Sequence, residues 1–270
     1  MVRLGIVDRV AGLLAIVLGA SLFGAAGCAP HAGVATAARE RFDPHASSPA
    51  QRARLDALRA ALAPVVASRK DPEALLLLDH DALYAPLDAE QRALLDEIRH
   101  QPGADPSVSI PEDVVWTRLE GQVVHGPTGD QPIPLQLVTE PVGRALRELD
   151  RAMRRDLGRG LLVGSAYRSP AYQLQLIVDL LPRFGYSLEQ TIVHVSLPGA
   201  SDHNRVDRLG VDFVSESGID LAWADAAAFR ALPEYAWLVE HAKSFGFEAD
   251  PAKPGELPTS PWHWRYADER

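Results

Sequence analysis

Pro261-Trp262-His263-Trp264-Arg265-Tyr266, close to the end of the chain, alternates large aromatic side chains with a histidine and an arginine. Successive side chains of a strand point to opposite faces, so Trp262, Trp264 and Tyr266 share one face while His263 and Arg265 share the other. The aromatic face needs a core and the polar face suits a site. About sixty residues upstream, Ser201-Asp202-His203 and Gly210-Val211-Asp212 offer a second imidazole and a carboxylate. His203 follows a turn sequence, Pro198-Gly199-Ala200, and Asp212 lies in Gly210-Val211-Asp212-Phe213-Val214, which alternates like a strand. Two histidines and one aspartate fill three positions of a tetrahedral zinc ion and leave the fourth for water, an arrangement suited to hydrolysis.

The elements around this stretch follow from apolar spacing. Val142, Leu146, Leu149 and Met153 mark an amphipathic helix, and a strand is expected from Leu161 to Tyr167. Ser169-Pro170 caps the next helix, which buries Leu174, Ile177, Val178 and Leu181 and stops at Pro182. His194, in Ile192-Val193-His194-Val195, reads as a strand residue. A further helix runs from about Pro233 to Phe245 and closes on Gly246, with His241 at its core edge. Trp237, Trp262 and Trp264 read as core. The order predicts an α+β fold, a small antiparallel sheet with flanking helices carrying the zinc site.

A helical region, 51–105, precedes this domain, which spans 106–270. Leu55, Leu58, Leu62, Val65 and Val66 fall on one helical face, and Asp88 with Gln91 three residues on forms a capping box before Leu94, Leu95 and Ile98. His80 and His100 read as surface residues. Between residues 101 and 134 frequent Pro and Gly predict loops with brief strands.

The chain of 270 residues is 47% hydrophobic, ample for a packed core. Its formal charge of −9 comes without any clustered basic footprint, which excludes a nucleic-acid surface. Arg3 and Arg9 precede an apolar run from Val10 to Ala26, the pattern of a signal peptide over residues 1–27. Ala25-Ala26-Gly27-Cys28 resembles a bacterial lipoprotein processing site, and Cys28 is the sole cysteine. The resemblance implies a lipid on Cys28 and a protein of the cell envelope held on a membrane by that anchor; the small, polar, Pro-containing stretch over 28–50 reads as a tether, and a monomer is expected. A plain secretory signal or an uncleaved anchor helix are the alternatives.

Five ordered stretches carry a resemblance: Ser165-Ala166-Tyr167-Arg168-Ser169 with Gln173; Pro198 to His203; Val211-Asp212; Trp237-Leu238 with Gly246-Phe247; and Pro261 to Tyr266. Together they resemble the VanY-type D-alanyl-D-alanine carboxypeptidases, in a group with lysostaphin-like enzymes and the hedgehog signalling domain. The resemblance implies a peptidase of peptidoglycan stem peptides, with Zn2+ held by His203, Asp212 and His263. Arg168, Gln173 and Ser201 would meet the substrate, Arg168 gripping a carboxylate or steadying charge on the attacked carbonyl. Two departures stand out. His203 to Asp212 spans nine positions where the family has seven, which leaves Asp207 as an alternative ligand. Ser260 stands where the family has the acidic general base. Glu256 is the first candidate to replace that base, with Asp202 and Glu248 as others. The alternative is a catalytically impaired member that binds cell-wall peptides or scaffolds other enzymes.

Overall fold

The structure, a computed structural model, describes residues 41–45, 48–110, 112–219, 225–249 and 260–267. The leader, Cys28, most of the tether and Glu256 lie outside the described residues. Four helices come first. Helix α1 (Pro49–Ala67) starts on Ser48, whose side chain accepts a hydrogen bond from the Gln51 amide, and it buries Leu55, Leu58, Leu62 and Val65. Helices α2 (Pro72–Leu76) and α3 (His80–Tyr84) are single turns. Helix α4 (Ala89–Arg99) opens with the Asp88–Gln91 capping box and buries Leu94, Leu95 and Ile98. Within this layer His100 is exposed, whereas His80 is half-buried beside Tyr84.

The segment of frequent Pro and Gly does carry brief strands. Strand β1 (Trp116–Leu119) pairs with β4 (Gln136–Thr139), and β2 (Val123–Gly126) forms a hairpin with β3 (Gly129–Pro132). Helix α5 (Glu140–Leu157) lays Val142, Leu146, Leu149 and Met153 on the core, as their spacing predicts. Strand β5 covers Leu161–Ser165, two residues shorter than expected, because the chain leaves the sheet at Ala166 to enter the cap of α6 (Pro170–Leu180). Ser169 accepts from the Tyr172 amide at that cap.

After α6 come α7 (Leu188–Ile192), β6 (Gly210–Ser215), α8 (Ala226–Arg230), α9 (Pro233–His241), β7 (Phe247–Ala249) and β8 (His263–Tyr266). Gly246 turns the chain from the last helical residues into β7 with φ +84°, a conformation open to glycine. His194 is a correction: Ile192 ends α7, so His194 sits in an exposed turn and not in a strand.

The main sheet is antiparallel in the order β5-β6-β8-β7. One core lies between this sheet and helices α5 and α9, built from Val163, Val211, Phe213, Leu238, Trp264 and Tyr266 among others. The indole N–H groups of Trp264 and Trp237 are both satisfied, by the Pro261 carbonyl at 3.1 Å and by Asp156 at 2.9 Å, as buried tryptophans require. A second core joins α1 and α4 to α6 through Leu58, Leu62, Leu95, Leu174 and Ile177. Helix α6 therefore packs against the N-terminal helices while its own cap borders the sheet. Two hydrogen bonds fasten that cap: the Ser169 amide donates to the Leu76 carbonyl (2.9 Å) and its hydroxyl to the Leu78 carbonyl (2.6 Å).

Candidate metal centre

Sheet register brings the distant motifs together. Asp212 is the Cα partner of Ser165 on one side and of His263 on the other. Strand β8 keeps the expected alternation, with Trp264 and Tyr266 buried and His263 and Arg265 on the opposite, more open face. His203 comes from a single 3-10 turn, Asp202–Asn204, capped by Ser201, whose hydroxyl accepts from the His203 amide at 3.3 Å. This turn is stapled to the Arg168 segment. The Arg168 amide donates to the His203 carbonyl (2.9 Å), and the Asn204 side chain donates to the Arg168 carbonyl (2.7 Å).

The donor atoms of His203, Asp212 and His263 lie within 4.8 Å of one another. His203 Nδ1 is 2.8 Å from the Ala166 carbonyl. A carbonyl only accepts, so Nδ1 carries the hydrogen and Nε2 the lone pair. Nε2 then faces Asp212 Oδ2 at 3.2 Å, acceptor against acceptor. Such a contact is favourable only with a proton or a cation between the two atoms. Burial, and then the charge of Arg168, push the His203 pKa down to about 4 although Asp212 pulls it up. At neutral pH the ring therefore holds no second proton. Burial alone would raise the Asp212 pKa, but the attraction and hydrogen bonds of His203 and His263 hold its carboxyl well below the usual carboxylate range. On the other side His263 Nδ1 lies 2.8 Å from Asp212 Oδ1. Two imidazoles and an ionised carboxylate, converging with a carbonyl fixing the tautomer of one, match the donor set of a zinc or similar borderline cation.

The centre opens on a cavity of about 610 Å³. Arg168 lines it and is 8% exposed. Its Nε is buried without a hydrogen-bond partner, and among the described residues no carboxylate pairs with the guanidinium. Burial lowers its pKa, against the pull of Asp212, yet an arginine stays charged at any ordinary pH. A buried cation facing a cavity awaits an anion.

The other predicted residues separate. Ser201 lines the cavity, whereas Gln173 is fully buried behind it, its amide donating to the Ser196 carbonyl at 2.7 Å. Gln173 shapes the wall that Ser196 forms. Asp207 is drawn away by Arg205, at 3.1 Å, and it is Asp212 that stands between the histidines. Glu248 pairs with Arg265 at 3.5 Å. Ser260 lines the cavity, and its carbonyl accepts from the His263 amide at 3.0 Å. Asp202 lines it too. So does His194, stacked on Phe184 with ring centroids 4.5 Å apart, which apolar neighbours in sequence disguised as a strand residue.

Residues 136–269 match the family model described as VanY, D-alanyl-D-alanine carboxypeptidase. Among solved structures, the chain is similar to the vancomycin resistance D,D-pentapeptidase VanY in complex with Zn(II), at 21% identity over 58% of this chain and 82% of that one, with a TM-score of 0.38. It is also similar to the LdcB LD-carboxypeptidase, at 21% identity over 62% of this chain and 71% of that one, TM-score 0.40. DacB from Streptococcus pneumoniae D39 is similar at 20% identity over 58% of this chain and 85% of that one, TM-score 0.38. No protein of curated function matches the chain.

Proposed function

We propose that the chain, whose residues 136–269 match the family model described as VanY, D-alanyl-D-alanine carboxypeptidase, is an exported, zinc-dependent carboxypeptidase acting on peptidoglycan stem peptides. The observation that carries the reading is the pairing, in one cavity, of a three-donor cation site with a buried guanidinium that has no carboxylate partner among the described residues. A terminal carboxylate of a peptide is the anion a planar guanidinium binds best, through two parallel hydrogen bonds. With that carboxylate on Arg168, the last peptide bond would lie toward His203, Asp212 and His263.

A bound zinc ion would supply an activated water and polarise the scissile carbonyl. The chain's own residues would do the rest. Arg168 orients the peptide by its end, and the Ala166 carbonyl keeps the His203 lone pair aimed at the ion. Ser260 cannot accept a proton near neutral pH, so the proton acceptor is a carboxylate brought in from elsewhere, with Glu256 the candidate. The leader and Cys28 support export and lipid attachment on the outer side of a membrane.

Ser260 facing the cavity also favours a second reading, a protein that grips stem peptides with little turnover. Purified full-length protein, loaded with zinc, should release the terminal residue from a peptide ending in D-Ala-D-Ala. Zinc below stoichiometry that added zinc does not restore would overturn both readings. Zinc and peptide binding without release would select the second.

A further inference from the structure

Asp202 stands beside His203 in sequence, yet its carboxylate lies next to the other histidine. It is 13% exposed, with Oδ2 3.9 Å from His263 Nε2 and Oδ1 3.0 Å from Arg208 Nε. The two nitrogens of an imidazole point away from each other, and His263 Nδ1 is the one turned to Asp212. A group at Nε2 is thus on the far side of the ring from the three converging donors.

We propose that Asp202, clamped by Arg208, is the positioning residue that fixes the ring angle and tautomer of His263, so that Nδ1 is presented as a ligand. The inference rests on the reading of the centre as a metal site and deepens it. Metal-ligating histidines characteristically give their other N–H to a carboxylate or carbonyl, which makes the ligand nitrogen more basic. His203 has the Ala166 carbonyl at hydrogen-bond distance for this purpose, and the group that faces His263 Nε2 is the Asp202 carboxylate, at an ion-pair separation of 3.9 Å.

The backbone nearby is built to admit the pair. A Cβ on Gly210 would come within 2.8 Å of His263 Cε1 and 3.1 Å of Asp202 Cβ, so only glycine lets β6 pass this close. Arg208 belongs to the very stretch that lengthens the His203-to-Asp212 spacing beyond the family's pattern. The longer loop carries the guanidinium that holds Asp202, and so does not displace the ligands.

Zinc titration of the metal-free, full-length chain against a chromophoric chelator tests this. Asp202→Asn should lose about 10- to 100-fold in zinc affinity, Asp202→Glu should recover part of it, and Arg208→Gln should show a smaller loss in the same direction. In NMR spectra of the zinc-loaded wild type the His263 Nε2–H should exchange slowly with solvent, and in Asp202→Asn it should exchange faster. Wild-type protein that takes no zinc would overturn the metal reading and this inference with it. Wild type that binds zinc, matched by Asp202→Asn within twofold, would overturn the inference alone. Should Asp202→Asn fail to fold, Arg208→Gln decides, since its side chain is 45% exposed and outside the core; zinc affinity equal to wild type would refute the clamp.

Discussion

Replacing Arg168 with methionine keeps much of the side-chain volume and removes the charge. In the structure that guanidinium is 8% exposed, its Nε has no hydrogen-bond partner among the described residues, and it faces the cavity beside the metal donors. An ion pair formed there with a peptide carboxylate is desolvated on both sides. Losing one partner of such a pair costs about 2–5 kcal/mol, equivalent to a ~30- to ~5,000-fold fall in kcat/KM at about 1.4 kcal/mol per factor of ten. The assay compares two substrates, a stem peptide with a free C-terminal carboxylate and its amide. Wild type should prefer the acid, and Arg168→Met should lose that preference while treating the amide much as before. Zinc affinity should change little, because burial outweighs Arg168 in keeping His203 neutral. Deleting a buried cation that has no carboxylate partner among the described residues should also raise the thermal midpoint of the metal-free protein. An acid-to-amide ratio that survives in a folded variant would refute the assignment of Arg168 to the terminal carboxylate.

Ser260→Glu restores a carboxylate at the cavity and should raise hydrolysis by ~10²–10⁴ if no other base serves; if Glu256 already serves, Glu256→Gln abolishes activity instead, and steady-state rates separate the two. The metal-free chain should lose stability as pH falls from about 6.5 to about 4, the ordinary and folded pKa values of His203. The unfolded chain binds a proton in that window that the folded chain refuses, a loss on the order of 3 kcal/mol, and urea midpoints in chelator should fall more in wild type than in His203→Gln. Leu95→Ala, at a fully buried position of α4 in the core it shares with α1 and α6, should cost about 2–5 kcal/mol in urea unfolding. Cys28→Ala should move the protein from the membrane fraction to the soluble exported fraction, and unchanged membrane retention would dismiss lipid attachment at that cysteine.

The site was legible in the sequence where local pattern and chemistry coincide. Alternation alone placed His263 and Arg265 on one face of β8, and the helices at Leu55 to Val65, Val142 to Met153 and Leu174 to Val178 followed from apolar spacing. The donors of the cation site were legible only jointly, because register across β5, β6 and β8 is a long-range property. What escaped was decided by capping and packing and not by the apolar pattern. His194 looked like part of a strand because Ile192, Val193 and Val195 are β-branched, but Ser187 caps a helical turn first and the chain turns at His194. The place of Gln173 is likewise set by packing, α6 turning its amide to the Ser196 carbonyl. The short strands β1 to β4 were expected as a group but not one by one, since four residues are too few to set a period.

The two hydrogen bonds from Ser169 to the Leu76 and Leu78 carbonyls have a consequence for how the molecule can be cut and how it breathes. They tie the residue after Arg168 to the helical layer that precedes the residues matching the family model. A fragment beginning at residue 106 would leave the Ser169 hydroxyl, which is fully buried, without its acceptor, and would strip the apolar face of α6. Such a fragment should fold poorly and grip peptides weakly even though every metal donor is present. In the intact chain, opening of the N-terminal helices and loosening of the peptide grip should be one event, with the Ser169 amide exchanging its hydrogen together with those of α1 and α4.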